Sequence, residues 1–218
     1  MKYDKNKAFD YENGFMLTSE IYRMGNFLAH YELYKKILSV PGDVVELGVF
    51  KGNSLVQFAS FRHLLENERA RKIIGFDVFG RFPENAGGGA DFAFVSRWNE
   101  NFQNEFMSRE EILSYLAAKE IGNVELIGGD ILTTLAEYVG SRPEMRIALL
   151  HIDTDVYEPA QKGLEILFDL VVPGGVIVFD DYGTVAGETK AVDEFLAVHP
   201  YRLERFTFSH TKPAYLIK

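Results

Sequence analysis

Four carboxylates stand where two apolar runs end. Asp153 and Asp155 follow RIALLHI in the segment His151-Ile152-Asp153-Thr154-Asp155-Val156-Tyr157, and Asp180 and Asp181 follow VIVF. Short apolar runs rich in β-branched residues read as buried strands. Neighbouring strands lie about 4.8 Å apart, so adjoining tips would bring these acids together. Anions at that spacing in a partly buried place repel and raise each other's pKa. A hard cation relieves the repulsion, and an all-oxygen donor set suits Mg²⁺, Mn²⁺ or Ca²⁺, whereas zinc prefers His or Cys. The competing reading is a set of helix caps and partners for lysine or arginine.

Three further strand-like runs end in residues able to hold a ligand. After Glu46-Leu47, glycines 48 and 52 permit a tight turn and a close backbone approach to a ligand. Ser54 then opens a helix, whose N-terminus and hydroxyl can bind a carboxylate. A plain strand-to-helix turn explains the same residues. The run KIIGFDVF carries Asp77, an acid that can accept hydrogen bonds from both hydroxyls of a ribose, or cap a helix. The run NVELIGGD ends in Asp130, which can accept a bond from an adenine amino group with Ile131 against the ring. Asp130 reads equally well as the N-cap of the next helix. The first loop is not GxGxxG, which disfavours a dinucleotide and ranks a nicotinamide dehydrogenase low.

Strands and helices must alternate to position these tips. Apolar residues at helical spacing over Thr18–Val40 predict one or two helices before the sheet, ended by Pro41-Gly42-Asp43. Helices are expected from Ser54 to about Glu68, across Ser108–Lys119, from Pro159 as first residue to about Leu170, and over Lys190–Val198. Ser108 with Glu111 forms a capping box. Five strands in this alternation imply a parallel α/β sheet with right-handed crossovers. The last two runs, YRLERFTF and AYLIK, lack a helix between them and are expected to pair antiparallel through a hairpin at SHTKP, giving seven strands. Ligands in such sheets bind at the carboxyl ends of the strands. Residues 80–106 carry Gly87-Gly88-Gly89 and then Phe92, Phe94, Trp98, Phe102 and Phe106. They read as an insertion that covers a face of the domain, as the core of a small subdomain, or as an oligomer interface.

At 218 residues the chain suits one α/β domain, 1–218, with a helical cap over residues 1–41. No apolar run reaches the roughly 18 residues of a membrane span. The N-terminal MKYDKNKAFDYENGF lacks the apolar core of a secretory signal. The absence of cysteine excludes disulfides, thiolate zinc and a cysteine nucleophile, and leaves the cytoplasm as the default location. A net charge of −9 argues against nucleic acid as the main partner.

The block HIDTDVYEPAQKGLEILFDLVVPGGVIVFDDYG, residues 151–183, resembles the signature of the macrocin O-methyltransferase family. ELGVFKGNS (46–54) is similar to that family's cofactor loop and GFDVFGRFP (75–83) to its ribose-binding segment. The resemblance runs in order over about residues 42–200 and leans toward the deoxyhexose 3-O-methyltransferases. It implies a Rossmann-like class I fold, the cofactor S-adenosyl-L-methionine, and Mg²⁺ (or Mn²⁺) activating a sugar hydroxyl in natural-product or glycan biosynthesis. By this resemblance Asp153, Asp180 and Asp181 hold the metal, Asp155 is the general base, and Glu46, Gly48, Ser54 and Asp77 hold the cofactor. His151 is the second candidate base, but its place two residues before Asp153 on the strand suits a core histidine better. Many members carry Gly-Trp-Phe after the third strand, where this chain has Gly128-Gly129-Asp130-Ile131, so its adenine contacts depart from the pattern. The chain is also short at its N-terminus relative to the family, so a different substrate lid is expected. Two other readings stand beside this one: a catechol-type O-methyltransferase acting on an aromatic diol, and a non-catalytic S-adenosylmethionine-binding protein.

Overall fold

The computed structural model describes residues 2–83, 91–102, 106–208 and 214–218. Among them, helices α1 (Ala8–Thr18) and α2 (Ile21–Lys36) precede strand β1 (Asp43–Leu47). Then follow α3 (Asn53–Leu65), β2 (Ile73–Asp77), α4 (Phe92–Asn101), α5 (Arg109–Ala118), β3 (Val124–Gly128) and α6 (Ile131–Gly140). The chain continues through β4 (Ile147–Ile152), α7 (Tyr157–Leu167), β5 (Val171–Phe179), α8 (Ala186–Val198) and β6 (Ala214–Ile217). The sheet order is β3-β2-β1-β4-β5-β6, with β6 antiparallel to β5 and the other pairs parallel.

Both faces of the sheet are covered, which is why its strands are apolar almost throughout. Alternate residues sort onto two core layers. Val45, Leu47, Phe76, Leu150, Ile152 and Phe179 pack with α6, α7 and α8. Val44, Ile73, Leu149, Val176 and Val178 pack with α2, α3 and α5. Glu46 and His151 occupy positions on this second layer, as register partners across β1 and β4. The capping box at Ser108 and Glu111 starts α5 as expected.

Four differences from the sequence reading have physical causes. Among the described residues the sheet has six strands: Tyr201–Phe208 contributes a single bridge, Glu204 to Tyr215. Of the half-buried apolar residues there, Tyr201 and Leu203 pack on one core layer and Phe206 on the other, so no single face of a strand is held on the core. The hairpin turn itself and the triple glycine lie outside the described residues. Helix α1 lies within the stretch read as a helical cap but ahead of the Thr18–Val40 pattern, because its apolar residues make no buried stripe: none of its residues is buried. Helix α3 opens at Asn53, since left-handed Gly52 is its N-cap, and Pro159 is the third residue of α7. The N-terminus of α7 is capped from a distance by Asp91, whose Oδ2 accepts from Tyr157 N at 2.8 Å. No helix among the described residues is long and apolar enough to cross a membrane.

Candidate functional site

The carboxyl ends of β1, β2, β4 and β5 open into a cavity of about 740 Å³. Its wall includes Gly48, Asp77, Asp130, Ile131, Asp153, Asp155, Asp180 and Asp181. Register explains the meeting of the last four. Ile152 pairs with Phe179, so the next residues, Asp153 and Asp180, fall side by side beyond the strand ends. One oxygen each from Asp153, Asp180 and Asp181 lies within 4.8 Å of the others.

The electrostatics of Asp153 and Asp155 follow from desolvation and crowding. Desolvation, then the charges of Asp180 and Asp181, push Asp153 well above the usual carboxylate pKa, while His151 pulls the other way. Desolvation and Asp181 do the same to Asp155. Such a site is costly for anions alone and favourable for a cation among them. The donors are hard oxygens close enough together to share one Mg²⁺ or Mn²⁺, whose remaining positions water or substrate would fill, so the residues present fit that group.

Glu188 was not foreseen. It is fully buried on α8 behind the acids. Its carboxylate accepts from Asp181 N at 3.0 Å and from Thr154 N at 3.4 Å, and its own N–H donates to Asp155 O at 3.2 Å. It thereby ties the β4 and β5 tips to α8. In sequence Glu188 precedes the helix expected over Lys190–Val198, and only the earlier start of α8 at Ala186 puts it in a first turn. Its burial depends on which loops fold over it.

The residues read as cofactor contacts divide into two groups. Gly48, Asp77, Asp130 and Ile131 line the cavity. The Asp77 carboxylate also braces the first loop, accepting from Val49 N and Phe50 N at 2.7 and 2.8 Å and from Phe79 N at 2.6 Å. These bonds hold Phe50 and Phe79 in left-handed backbone conformations. Asp130 caps α6 by accepting from Leu132 N, and it also stands on the cavity wall. Glu46, Gly52 and Ser54 are not among the residues that line the cavity. Glu46 points into the second core layer and meets His151 Nδ1 at 2.9 Å. Gly52 faces the side chain of Ile112, and Ser54 is buried in the first turn of α3. Strand alternation sends Glu46 to the face opposite Leu47, a placement the motif by itself does not reveal.

Gly48 has a further duty. With φ at +88°, a Cβ placed on it would sit 1.8 Å from the carbonyl oxygen of Asp153. Gly48→Ala is therefore expected to lower stability by about 3 kcal/mol or more, from backbone overlap and left-handed strain together. Urea denaturation checks this; an unchanged midpoint would contradict the close approach of β1 to β4.

On the outer side the cavity is walled by Phe50, Phe82, Trp98 and Phe102, with Arg23 and Lys51 also present. Trp98 stands 4.5 Å from Phe102 and 5.2 Å from Phe50, centroid to centroid. Of the insertion's aromatics, Phe92, Phe94 and Phe106 are not part of this wall, and Phe92 is largely exposed. Arg23, Lys51 and Phe50 carried no signal in the sequence, because helix α2 and the first loop meet the insertion only in three dimensions.

An open sheet ordered 3-2-1-4-5 with an added antiparallel strand, and acids at its carboxyl edge, is the fold of the class I methyltransferases. The chain belongs to the macrocin-O-methyltransferase (TylF) family, whose model matches residues 22–204. It is 29% identical over 169 residues to the 8-demethyl-8-(2,3-dimethoxy-alpha-L-rhamnosyl)-tetracenomycin-C 4'-O-methyltransferase of Streptomyces olivaceus, covering 75% of this chain and 59% of that protein. It is 28% identical over 163 residues to the demethyldecarbamoylnovobiocin O-methyltransferase of Streptomyces niveus, covering 73% of this chain and 60% of the relative. The chain thus matches about three fifths of the length of these curated relatives. Among solved structures it resembles apo CalS11, a TDP-rhamnose 3'-O-methyltransferase of calicheamicin biosynthesis, with a TM-score of 0.73 and 25% identity, covering 99% of this chain and 88% of that one. The O-methyltransferase NovP shares the fold at a TM-score of 0.75 and 24% identity, over 88% of this chain and 78% of its own.

Proposed function

We propose that this chain is an S-adenosylmethionine-dependent O-methyltransferase that methylates a sugar hydroxyl of a natural product or its precursor, with Mg²⁺ or Mn²⁺ held by Asp153, Asp180 and Asp181. The observation that carries the reading is the convergence of those three carboxylate oxygens within 4.8 Å at the edge of the large cavity, in a chain of this family. The sugar assignment is supported by the names of the relatives.

In this reading the bound cation supplies Lewis acidity that lowers the pKa of the acceptor hydroxyl. S-adenosylmethionine brings a methyl group already activated as a sulfonium. Asp155, on the cavity wall beside the trio, takes the hydroxyl proton as transfer proceeds. Gly48, Asp77, Asp130 and Ile131 form the cofactor side of the cavity. The wall of Phe50, Phe82, Trp98 and Phe102 in the 80–106 insertion and first loop holds the acceptor and excludes water, aligning oxygen with the methyl carbon. The single-domain organisation and the lid role of the insertion belong to the same proposal.

A panel of deoxysugar nucleotides, deoxysugar glycosides and a catechol, assayed with methyl-labelled S-adenosylmethionine with and without Mg²⁺, tests it. Label is expected in at least one sugar acceptor, only with the metal present. Transfer to the catechol alone would replace the sugar reading with the aromatic one. No release of S-adenosylhomocysteine with any acceptor would favour a non-catalytic binding protein.

A further inference from the structure

Below the carboxylate trio lies a pair of buried ionisable groups that the proposed chemistry does not use. Glu46 and His151 are register partners across β1 and β4, and both are fully buried. His151 Nδ1 lies 2.9 Å from Glu46 Oε1. With Nδ1 engaged there, the ring has one other polar atom. That atom, Nε2, stands 3.6 Å from Asp180 Oδ1 and has no hydrogen-bond partner among the described residues.

A second buried imidazole approaches the same oxygen. His30 Nε2, from α2, is 3.9 Å from Asp180 Oδ1. Its Nδ1 is 2.8 Å from Gln57 Oε1. The Gln57 amide nitrogen donates to Asn53 Oδ1, which turns the amide oxygen toward His30. The two rings meet edge to face at 5.1 Å, and Phe58 packs on both. In a close-packed core neither ring can swing without displacing its neighbours. A buried carboxylate–imidazole pair is weak evidence for stability, because desolvation offsets its attraction. Its orientation toward Asp180 gives it a use.

We propose that His151, held in place by Glu46 and backed by His30, is a positioning residue for Asp180. It fixes the Asp180 carboxylate in the orientation that completes the trio with Asp153 and Asp181, and so sets the affinity of that trio for a divalent cation. The inference rests on the metal reading above. Groups that orient metal ligands typically contribute about 10–100-fold to metal affinity.

The test is a Mn²⁺ titration followed by electron paramagnetic resonance on the full chain without acceptor. Wild type is compared with Glu46→Gln, His151→Gln and His30→Gln, alongside thermal melts and S-adenosylhomocysteine binding. Glu46→Gln is isosteric and is expected to melt cooperatively and bind S-adenosylhomocysteine like wild type, while its Kd for Mn²⁺ rises about tenfold or more. Raising Mn²⁺ to saturation is expected to restore most of its kcat. A merely structural role would lower the melting temperature and leave the Mn²⁺ Kd of the folded protein alone. An unchanged Kd in folded Glu46→Gln would overturn the positioning role. His30→Gln, read the same way, decides the matter if neither β-strand variant folds. Two ions per wild-type chain, one lost in His30→Gln, would overturn it in favour of a cation held by the imidazoles themselves. No Mn²⁺ binding by wild type would overturn the metal reading, and the positioning role with it.

Discussion

Removing divalent cations with EDTA is expected to abolish methyl transfer, and added Mg²⁺ to restore it, while S-adenosylhomocysteine still binds the stripped protein. The argument is electrostatic. Carboxylate charges within 4.8 Å of one another repel by about 3 kcal/mol per pair at an effective dielectric near 20. A doubly charged ion turns that repulsion into attraction. The same reasoning gives an expectation that runs against the usual effect of mutation. Asp153→Ala is expected to leave the metal-free melting temperature unchanged or raise it, because one of three crowded anions is gone. It is also expected to lose the response to Mg²⁺. In wild type, Mg²⁺ at 100 times its Kd adds about 2.7 kcal/mol of stability. For a chain of this size that is a melting shift of roughly 5–10 °C. Differential scanning calorimetry with and without Mg²⁺ measures both. Full activity in excess chelator, or an equal Mg²⁺ shift in Asp153→Ala, would remove the metal from the account.

Asp155→Ala is expected to lower kcat by about 10²–10⁴-fold, the usual contribution of a positioned general base, with Mn²⁺ and S-adenosylmethionine affinities unchanged. Asp155 is set apart from the trio by its backbone. It sits at φ +62°, an uncommon conformation for a residue other than glycine, immediately after the β4 tip. Glu188 N–H holds its carbonyl, and its side chain stands on the cavity wall. Local strain of this kind is kept where surrounding bonds over-determine it, as the buried Glu188 does here. Asp155→Asn, which keeps the shape and removes the basicity, should match the alanine variant in kcat. Single-turnover kinetics beside a metal titration separates loss of chemistry from loss of binding. Near wild-type turnover in either variant would move the base elsewhere.

Much of this was legible in the sequence, for reasons that are local. The alternation of apolar runs with helical patterns determined a parallel sheet, because strands covered on both faces must be apolar throughout. Acids placed directly after those runs had to stand at the carboxyl edge, since a strand delivers its last residue to the sheet's end whatever packs around it. The motif of residues 151–183 supplied the family. Tertiary structure decided what depends on contacts distant in the chain. It made Tyr201–Phe208 a single bridge instead of a seventh strand, because its half-buried residues divide between the two core layers, Tyr201 and Leu203 on one and Phe206 on the other. It sent Glu46 away from the cavity, because alternation along β1 is fixed by which neighbours cover each face. It brought His30 from α2, Asp91 from the insertion and Glu188 from α8 to the acids or the helix behind them. A sequence states a side chain's chemistry and its direction along one element. Whether a carboxylate braces a loop, backs a histidine or faces a ligand depends on what other elements place against it, and that is settled only when the layers close.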